Sequence, residues 1–537
     1  MKTIETTAEN AANEISGIEK DTPCTVRVTG RLTTERLSAL KNAITDEMRI
    51  HLDLSACTGL KRLPSNAFDT CIGLEEIALP DCLTEIGSYA FYDCILLKKV
   101  AMGKSVAVIK KAAFKDCHLL EQCDLPESVT HIGNMAFTKC RKLKEIRVTD
   151  NLVSLGWSAF SATGITEFNF PKSLTKVPEE CFLLCDKLQK VIFPDNLQVI
   201  EPKAFALCKN LTDILLPESL KNLGWGAFYE CKKITQINIP SGIKVLDYRT
   251  FYETGITEVV LPSSLRTVYA FTNCYELKKI TACEGVENVA FDYCKNLSEV
   301  ILPKSIRDIS FEGCSALKKI SLPIGIRKIR KSCFEETGIE SIEIPVSVKQ
   351  IDDSAFYGCT NLREVKINKP VELGDSVFKF CEKLTKITLP KNWYIKGANV
   401  YDGKKLIRKG VFDFRTDVKI NGYVLNEKMT EILSAPFGFS AELPPTVYKI
   451  GSYALKDCRK KNIIIPPSIS CIGKYAFEES EIESIEIPDT VTEIEYYAFR
   501  DCKNLKYVRL PENLKQIPDS MFCRCGNLRH IHLPQNI

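Results

Sequence analysis

The chain is 537 residues long, with 72 basic and 68 acidic side chains and a net charge of +4. A balance this even leaves no basic footprint for nucleic acid. Nowhere do 18 apolar residues run together, so there is no candidate transmembrane helix.

The opening residues, Met1 to Thr6, lack the apolar centre of a signal peptide. They read as the start of a cytoplasmic protein, or of a fragment whose leader is missing. Thr6-x-x-Glu9 has capping-box spacing and predicts a helix through Ala11, Ala12 and Ile15. Thr25 to Val28 predicts a strand, residues 33–46 an amphipathic helix, and Ile50 to Leu54 a strand. Residues 1–54 thus read as an α/β N-terminal cap, needed to cover the apolar end of a stacked array.

From Phe68 onward one mark returns. Phe68, Phe91, Phe114, Phe137 and Phe160 stand 23 residues apart, and the mark recurs to Phe522 in nineteen copies, with Leu455 once in the Phe place. A short unit repeated this often is a solenoid, which grows by stacking coils. One unit runs Phe91-x-x-Cys94-x-x-Leu97-x-x-Val100-x-Met102, then Val106-x-x-Ile109, then Ala113-Phe114. Lys99 to Met102 alternates out and in, as a short strand does. One strand per coil in one direction predicts a long parallel sheet on the concave face, with irregular or short helical return segments. Leu-Pro or Ile-Pro ends the strand, as at Leu79-Pro80 and Leu216-Pro217, because proline cannot extend the ladder.

Fifteen of the 24 cysteines sit three residues after the Phe position. Stacked coils set equivalent residues roughly 4.8 Å apart with parallel Cβ vectors, whereas a disulfide needs Cβ atoms about 3.8 Å apart and turned together. Thr163, Thr254, Thr337 and Ser480 take the same place in the other four copies, and a hydroxyl can replace a thiol donor but not half a bridge. The pattern predicts a buried ladder of free thiols bonded to backbone carbonyls, suited to a reducing compartment. After Thr163, Thr254 and Thr337 the next residues shorten by one, as Thr163-Gly164-Ile165, Thr254-Gly255-Ile256 and Thr337-Gly338-Ile339, with Gly supplying the tighter turn. From Phe251 to Phe311 the spacing falls to 20.

The array is predicted over 55–391, interrupted by a β-rich irregular insertion at 392–440, with Asp402-Gly403 and Asn421-Gly422 as turn signals. Repeats resume near Leu443-Pro444 and continue over 441–537, with no C-terminal cap in the sequence.

The unit Ile-x-x-x-Ala-Phe-x-x-Cys-x-x-Leu-x-x-Ile-x-Leu-Pro, over about residues 55–537, resembles the treponemal class of leucine-rich repeats found in BspA-like proteins. The resemblance implies a curved solenoid. For the family's known members it also implies a cell-surface or secreted adhesion role toward host matrix proteins, other bacteria or epithelia. It implies no catalytic residue.

Outward strand positions are the natural binding surface of such an array. They carry mostly alternating charge, including Lys98 and Lys99. Ile192, Leu215, Val260 and Ile301 break that pattern, the first two on adjacent coils, and exposed apolar side chains in contact mark interfaces. Trp157 and Trp225 share one repeat position, and tryptophan is favoured at binding hot spots. Cys523 and Cys525 with His530 and His532 do not read as a zinc site. Cys525 is the repeat cysteine, and both histidines fall at outward strand positions. No phosphate loop, metalloprotease helix or nucleophile elbow occurs, so no cofactor is implied. These residues predict a non-enzymatic protein that binds a protein partner through the sheet; a cytosolic scaffold is the alternative.

Overall fold

The structure, a computed structural model, describes residues 2–534 except 213, 385, 391–392, 397–398, 403–404, 409–417, 421–422, 426–430, 436–446 and 515. Two units divide the chain, Met1–Phe414 and Arg415–Ile537.

The first unit begins with β1 (Lys2–Thr7), α1 (Ala11–Ser16), β2 (Pro23–Arg31), α2 (Thr34–Ala43) and β3 (Arg49–Asp53). Residues 2–7 are a strand, paired in parallel with β2, where the sequence suggested the approach to a capping box. Thr3, Ile4, Thr6 and Thr7 are β-branched and fit a pleated edge better than a helix start. The capping box does not form: Asn10 is the N-cap, with no side-chain cap bond, and Glu9 pairs with Arg36 instead. The second helix is capped as its sequence directs, with Thr33 Oγ1 accepting the Arg36 amide at 3.3 Å.

From β3 the sheet passes directly into the array through Leu74–Ala78, Lys99–Ala101 and Gln122–Asp124, all parallel. Further ladders on this face are Glu167–Asn169 with Lys190–Ile192, and Glu258–Leu261 with Lys279–Ala282 and Glu299–Ile301. The return side differs from the expected irregular turn. It carries a second parallel ladder two or three residues wide, as in Glu85–Ile86, Val108–Ile109 and His131–Ile132. Physically, this is where the return backbone finds partners; left bare, those amides would each forfeit a hydrogen bond.

Bonding continues through the turn around each Phe. The Phe91 amide donates to the Ala113 carbonyl of the next coil at 2.7 Å, and Asp93 to Lys115 at 2.9 Å. Tyr89 and Asp93, flanking Phe91, hold φ of 58° and 57°. A left-handed non-glycine residue costs about 1–2 kcal/mol, and the coil-to-coil bonds hold it there. In the three coils ending at Phe271, Phe291 and Phe311 the turn before the Phe is trimmed. Among the described residues only the left-handed position after each Phe persists there, at Asn273, Tyr293 and Gly313.

Inside the coil the Phe rings stack face to face: Phe91 to Phe114 at 5.1 Å and 5°, Phe228 to Phe251 at 5.6 Å and 2°. Both rings of each pair are fully buried. Near the end of the unit, Trp393–Lys396, Asn399–Asp402 and Lys405–Arg408 form an antiparallel meander, with Asp402 opposite Lys405. Gly403, the Asn421-Gly422 turn and Leu443-Pro444 lie outside the described residues.

In the second unit, Val418–Ile420, Tyr423–Leu425 and Glu431–Ser434 pair antiparallel; Glu431–Ser434 then joins Lys449–Ile450, Cys471–Ile472 and Glu493–Ile494 in parallel. Asn462–Ile464, Ser484–Glu486, Tyr507–Arg509 and His530–His532 form the other face. Phe477 and Phe499 stack at 4.8 Å, and Leu455 lies buried one coil earlier.

Candidate binding face

The repeat cysteines are structural. Cys94, Cys117, Cys140 and Cys208 each donate to the carbonyl of the Phe one coil earlier, at 2.9 to 3.1 Å. Burial pushes these thiols above their ordinary pKa, Cys94, Cys140 and Cys208 well above it, so they stay protonated donors. Cys525 does the same toward Phe499, at 3.0 Å. Among the described residues, no three His, Cys, Asp or Glu side chains converge on a metal position.

On the surface the repeat sets three outward columns, tied by strand pairing where Glu167–Asn169 meets Lys190–Ile192 and across Glu258–Ile301. One is mostly charged and alternates in places: Glu76 beside Lys99, Glu167 beside Lys190, and Glu258, Lys279 and Glu299 in turn, while Glu145 precedes Glu167 and Gln236 precedes Glu258. Lys279 and Glu299 pair at 2.7 Å. The next column is Asn169, Ile192, Leu215, Asn238, Val260, Thr281 and Ile301, in repeat order. Its apolar members are exposed, Ile192 48%, Leu215 75%, Val260 62% and Ile301 47%. The third column is uncharged over Thr166, Gln189, Thr212, Thr235 and Thr257, with Lys144 before this stretch and Lys278 after it.

The charged column runs between the other two, so the apolar column and the third column each border charge. Ile192 and Leu215 line one shallow groove of about 460 Å³ with Lys190, Thr212, Thr235 and Gln236. Val260 and Ile301 lie further along the same column, with Thr281 between them. Asn238 interrupts the strand ladder at the groove's end: its side-chain amide takes the Leu216 amide at 2.9 Å and gives to the Leu216 carbonyl at 2.7 Å.

Lys98 and Lys99 are several coils away on the charged part of the face, where Lys98 meets Glu75 at 3.0 Å. Trp157 and Trp225 are not on this face. They follow the return strands Ser154–Leu155 and Asn222–Leu223, each just under half exposed, and the Lys203 ammonium lies 4.7 Å from the Trp225 ring centre. Sequence reasoning missed Ile464, the most exposed large apolar side chain among the described residues at 85%. It points outward from Asn462–Ile464, and the run Ile463-Ile464-Ile465 conceals the alternation that would have marked it. It also missed Ile324 and Val346, which are exposed just after the strand-ending prolines.

The BspA type leucine rich repeat region matches residues 61–189, 175–290, 284–408 and 439–537. Among solved structures, a leucine-rich repeat protein from Bacteroides ovatus ATCC 8483 is 25% identical over 62% of this chain and 83% of that one, with a TM-score of 0.46. A leucine rich cell surface protein from Faecalibacterium prausnitzii A2-165 is 24% identical, over 62% of this chain and 83% of that one, with a TM-score of 0.36. The T. pallidum leucine rich repeat protein is 22% identical over 30% of this chain and 78% of its own, with a TM-score of 0.29. No curated protein matches. With the matched segments spanning most of its length, this chain belongs to the BspA-type leucine-rich-repeat family.

Proposed function

We propose that this is a non-enzymatic, adhesion-type protein that holds a protein partner on its strand face, with the contact centred on Ile192 and Leu215. The observation that carries this reading is the adjacency of those two exposed side chains over one groove, in a column of uncharged side chains flanked by Lys190. Removing such side chains from water supplies the affinity, at roughly 25 cal/mol per Å² of apolar surface. The alternating charges alongside would set orientation and suppress wrong partners. Repeat arrays spread binding over many coils, which suits a macromolecule better than a small ligand.

By likeness to the family, host matrix proteins and bacterial surface proteins are the partners to try first, and a cell-surface location accompanies that reading. A cytosolic scaffold is the second reading. It is favoured by the buried thiols bonded to carbonyls, a state maintained most easily in a reducing compartment. A panel of purified matrix proteins, presented to the wild-type chain and to Ile192→Asp/Leu215→Asp, tests the proposal. At least one protein should be retained by the wild type and lost by the variant. Equal retention by both would remove the strand face from consideration.

A further inference from the structure

The face's own symmetry suggests what lies against it, an inference that rests on the strand face being the binding surface. We propose that its occupant is a second copy of this chain, docked face to face about a two-fold axis. The axis runs along the strands, between the coil carrying Gln236 and the coil carrying Glu258.

Such an axis keeps each column opposite itself and reverses the order of the coils, so the column must complement its own reversal. In this placement Lys190 lies opposite Glu299, and Glu167 opposite Lys319. Ile192 meets Ile301 in the adjacent column, and Leu215 meets the methyl group of Thr281. The strand register sets the outer members of these pairs, Glu167 beside Lys190 and Lys279 beside Glu299. The pattern extends outward in the third column, where Lys144 lies opposite Glu340. Near the centre, uncharged Thr235 faces Thr257.

The register is specific. Moving the axis by half a coil in one direction sets Lys190 against Lys279 and Glu167 against Glu299. Moving it the other way sets Lys190 against Lys319. Like charges oppose in both neighbours. A whole-coil move toward the N-terminal end again sets Lys190 against Glu258 and Glu167 against Lys279, but it opposes Glu145 with Glu299; a whole-coil move the other way opposes Glu167 with Glu364. The proposed placement has opposite charges at its ends and apolar contacts within. This is the isologous pattern of a two-fold dimer, in which each contact occurs twice.

The local geometry permits the contact. Across these coils the strand face carries the ladder Glu258–Leu261, Lys279–Ala282, Glu299–Ile301, and the return side carries Val245–Leu246, Thr267–Val268, Asn288–Ala290, Asp308–Ser310. Parallel ladders on both sides advance by the same spacing per coil, which keeps the face straight over Glu258–Ile301 on one side of the axis; on the other side Glu167–Asn169 pairs with Lys190–Ile192. Glu299 already meets Lys279, so Lys190 of the second copy would complete a Lys–Glu–Lys cluster.

Sedimentation velocity of the full chain over a concentration series tests the proposal. The wild type should show a reversible dimer that weakens as salt rises. Lys190→Glu and Glu299→Lys should each raise the dissociation constant by roughly tenfold or more, and the double variant should restore it toward the wild type. Ile301→Asp should leave a monomer. A wild type that stays monomeric into the high micromolar range overturns the proposal, as does a double variant no better than either single one. If the monomer still binds another protein through Ile192 and Leu215, the binding face stands and only the self-association falls. A dimer indifferent to all of these substitutions would place the contact elsewhere and overturn this assignment.

Discussion

Two kinds of coil occur along the array, and they solve one problem differently. In a cysteine coil the thiol reaches back across the gap between coils, as Cys208 does to the Phe182 carbonyl at 3.1 Å. In a threonine coil the hydroxyl stays local: Thr163 bonds the Phe160 carbonyl of its own coil at 2.8 Å, and Thr254 bonds Phe251 at 2.9 Å. The longer C–S bond spans a distance that the C–O bond does not. The next cysteine then completes the site. Cys185 donates to the same Phe160 carbonyl at 3.0 Å, with its sulfur 3.3 Å from the Thr163 hydroxyl. In each threonine coil the turn after the threonine is also one residue shorter and closes through a glycine. A Cβ on Gly164, Gly255 or Gly338 would collide with the carbonyl oxygen of Arg141, Lys232 or Ser315 in the coil before. Thr and Gly therefore act as one device that draws the backbone of two coils together.

What the two kinds share should respond equally. Phe160 in a threonine coil and Phe205 in a cysteine coil are both fully buried between stacked rings. Replacing either by alanine should cost about 3–5 kcal/mol in urea unfolding, transfer and cavity together. A clear difference between the two would show that the ring stack is not uniform. What only the threonine coils have should come next in size. Gly338→Ala should cost about 1–3 kcal/mol as an overpacking change against backbone that cannot step aside. The same measurement on Gly526, which has open space around it, should show a much smaller effect. Equal losses at both positions would mean that the close approach is not what the glycine provides.

The repeat itself was open to sequence reading because one residue type fills one position nineteen times, and only burial explains a periodic Phe. The thiol ladder could be inferred from the four positions where a hydroxyl stands in. The return ladder could not, because a pair such as Val108–Ile109 is too short to show any period. Nor could the left-handed turn residues, since Tyr89, Asp93, Lys139 and Leu184 carry no glycine signal; coil-to-coil bonding imposes their conformation. At the candidate site, period-2 alternation picked out Ile192 and Leu215 but failed at Ile464, where apolar residues occupy both faces of the strand. The N-terminal strand was missed because Thr6-x-x-Glu9 has helix-start spacing, while pairing with β2 decides the outcome.

The thiols also distinguish the coils by pH. Burial raises Cys185, and the Thr163 hydroxyl limits the rise to about 11. Cys208 has no such hydroxyl beside it and is pushed further. A thiol that holds its proton more tightly when folded favours the folded state below the pKa of the unfolded chain, and that advantage shrinks as pH rises above it. Stability should therefore fall above about pH 9, by up to about 1.4 kcal/mol per pH unit for each such thiol. The contribution of Cys185 should be lost between about 9 and 11, whereas that of Cys208 should go on declining beyond. Urea midpoints at stepped pH, compared between wild type and Cys185→Ala, isolate the single-site slope. An unchanged slope would mean that Cys185 does not hold its proton in the fold.

The smallest expected effect is the sharpest test of the pairing between Thr and Gly. Thr254→Cys installs the group found in most coils but keeps the shortened turn at Gly255. The backbone then lies too close for a thiol to reach back across the gap without displacement, and the sulfur must fit where a hydroxyl bonded locally. The cost should be about 0.5–1 kcal/mol, within the range of a near-isosteric core change. Cys274, now held at about 12 with the Thr254 hydroxyl beside its sulfur at 3.4 Å, should move further up and react more slowly with a thiol reagent. Restoring the missing residue after position 254 in the same variant should recover the loss, because the longer turn gives the thiol the geometry of a cysteine coil. If Thr254→Cys alone is neutral and the insertion brings no gain, side chain and turn length vary independently, and the two kinds of coil differ only in composition.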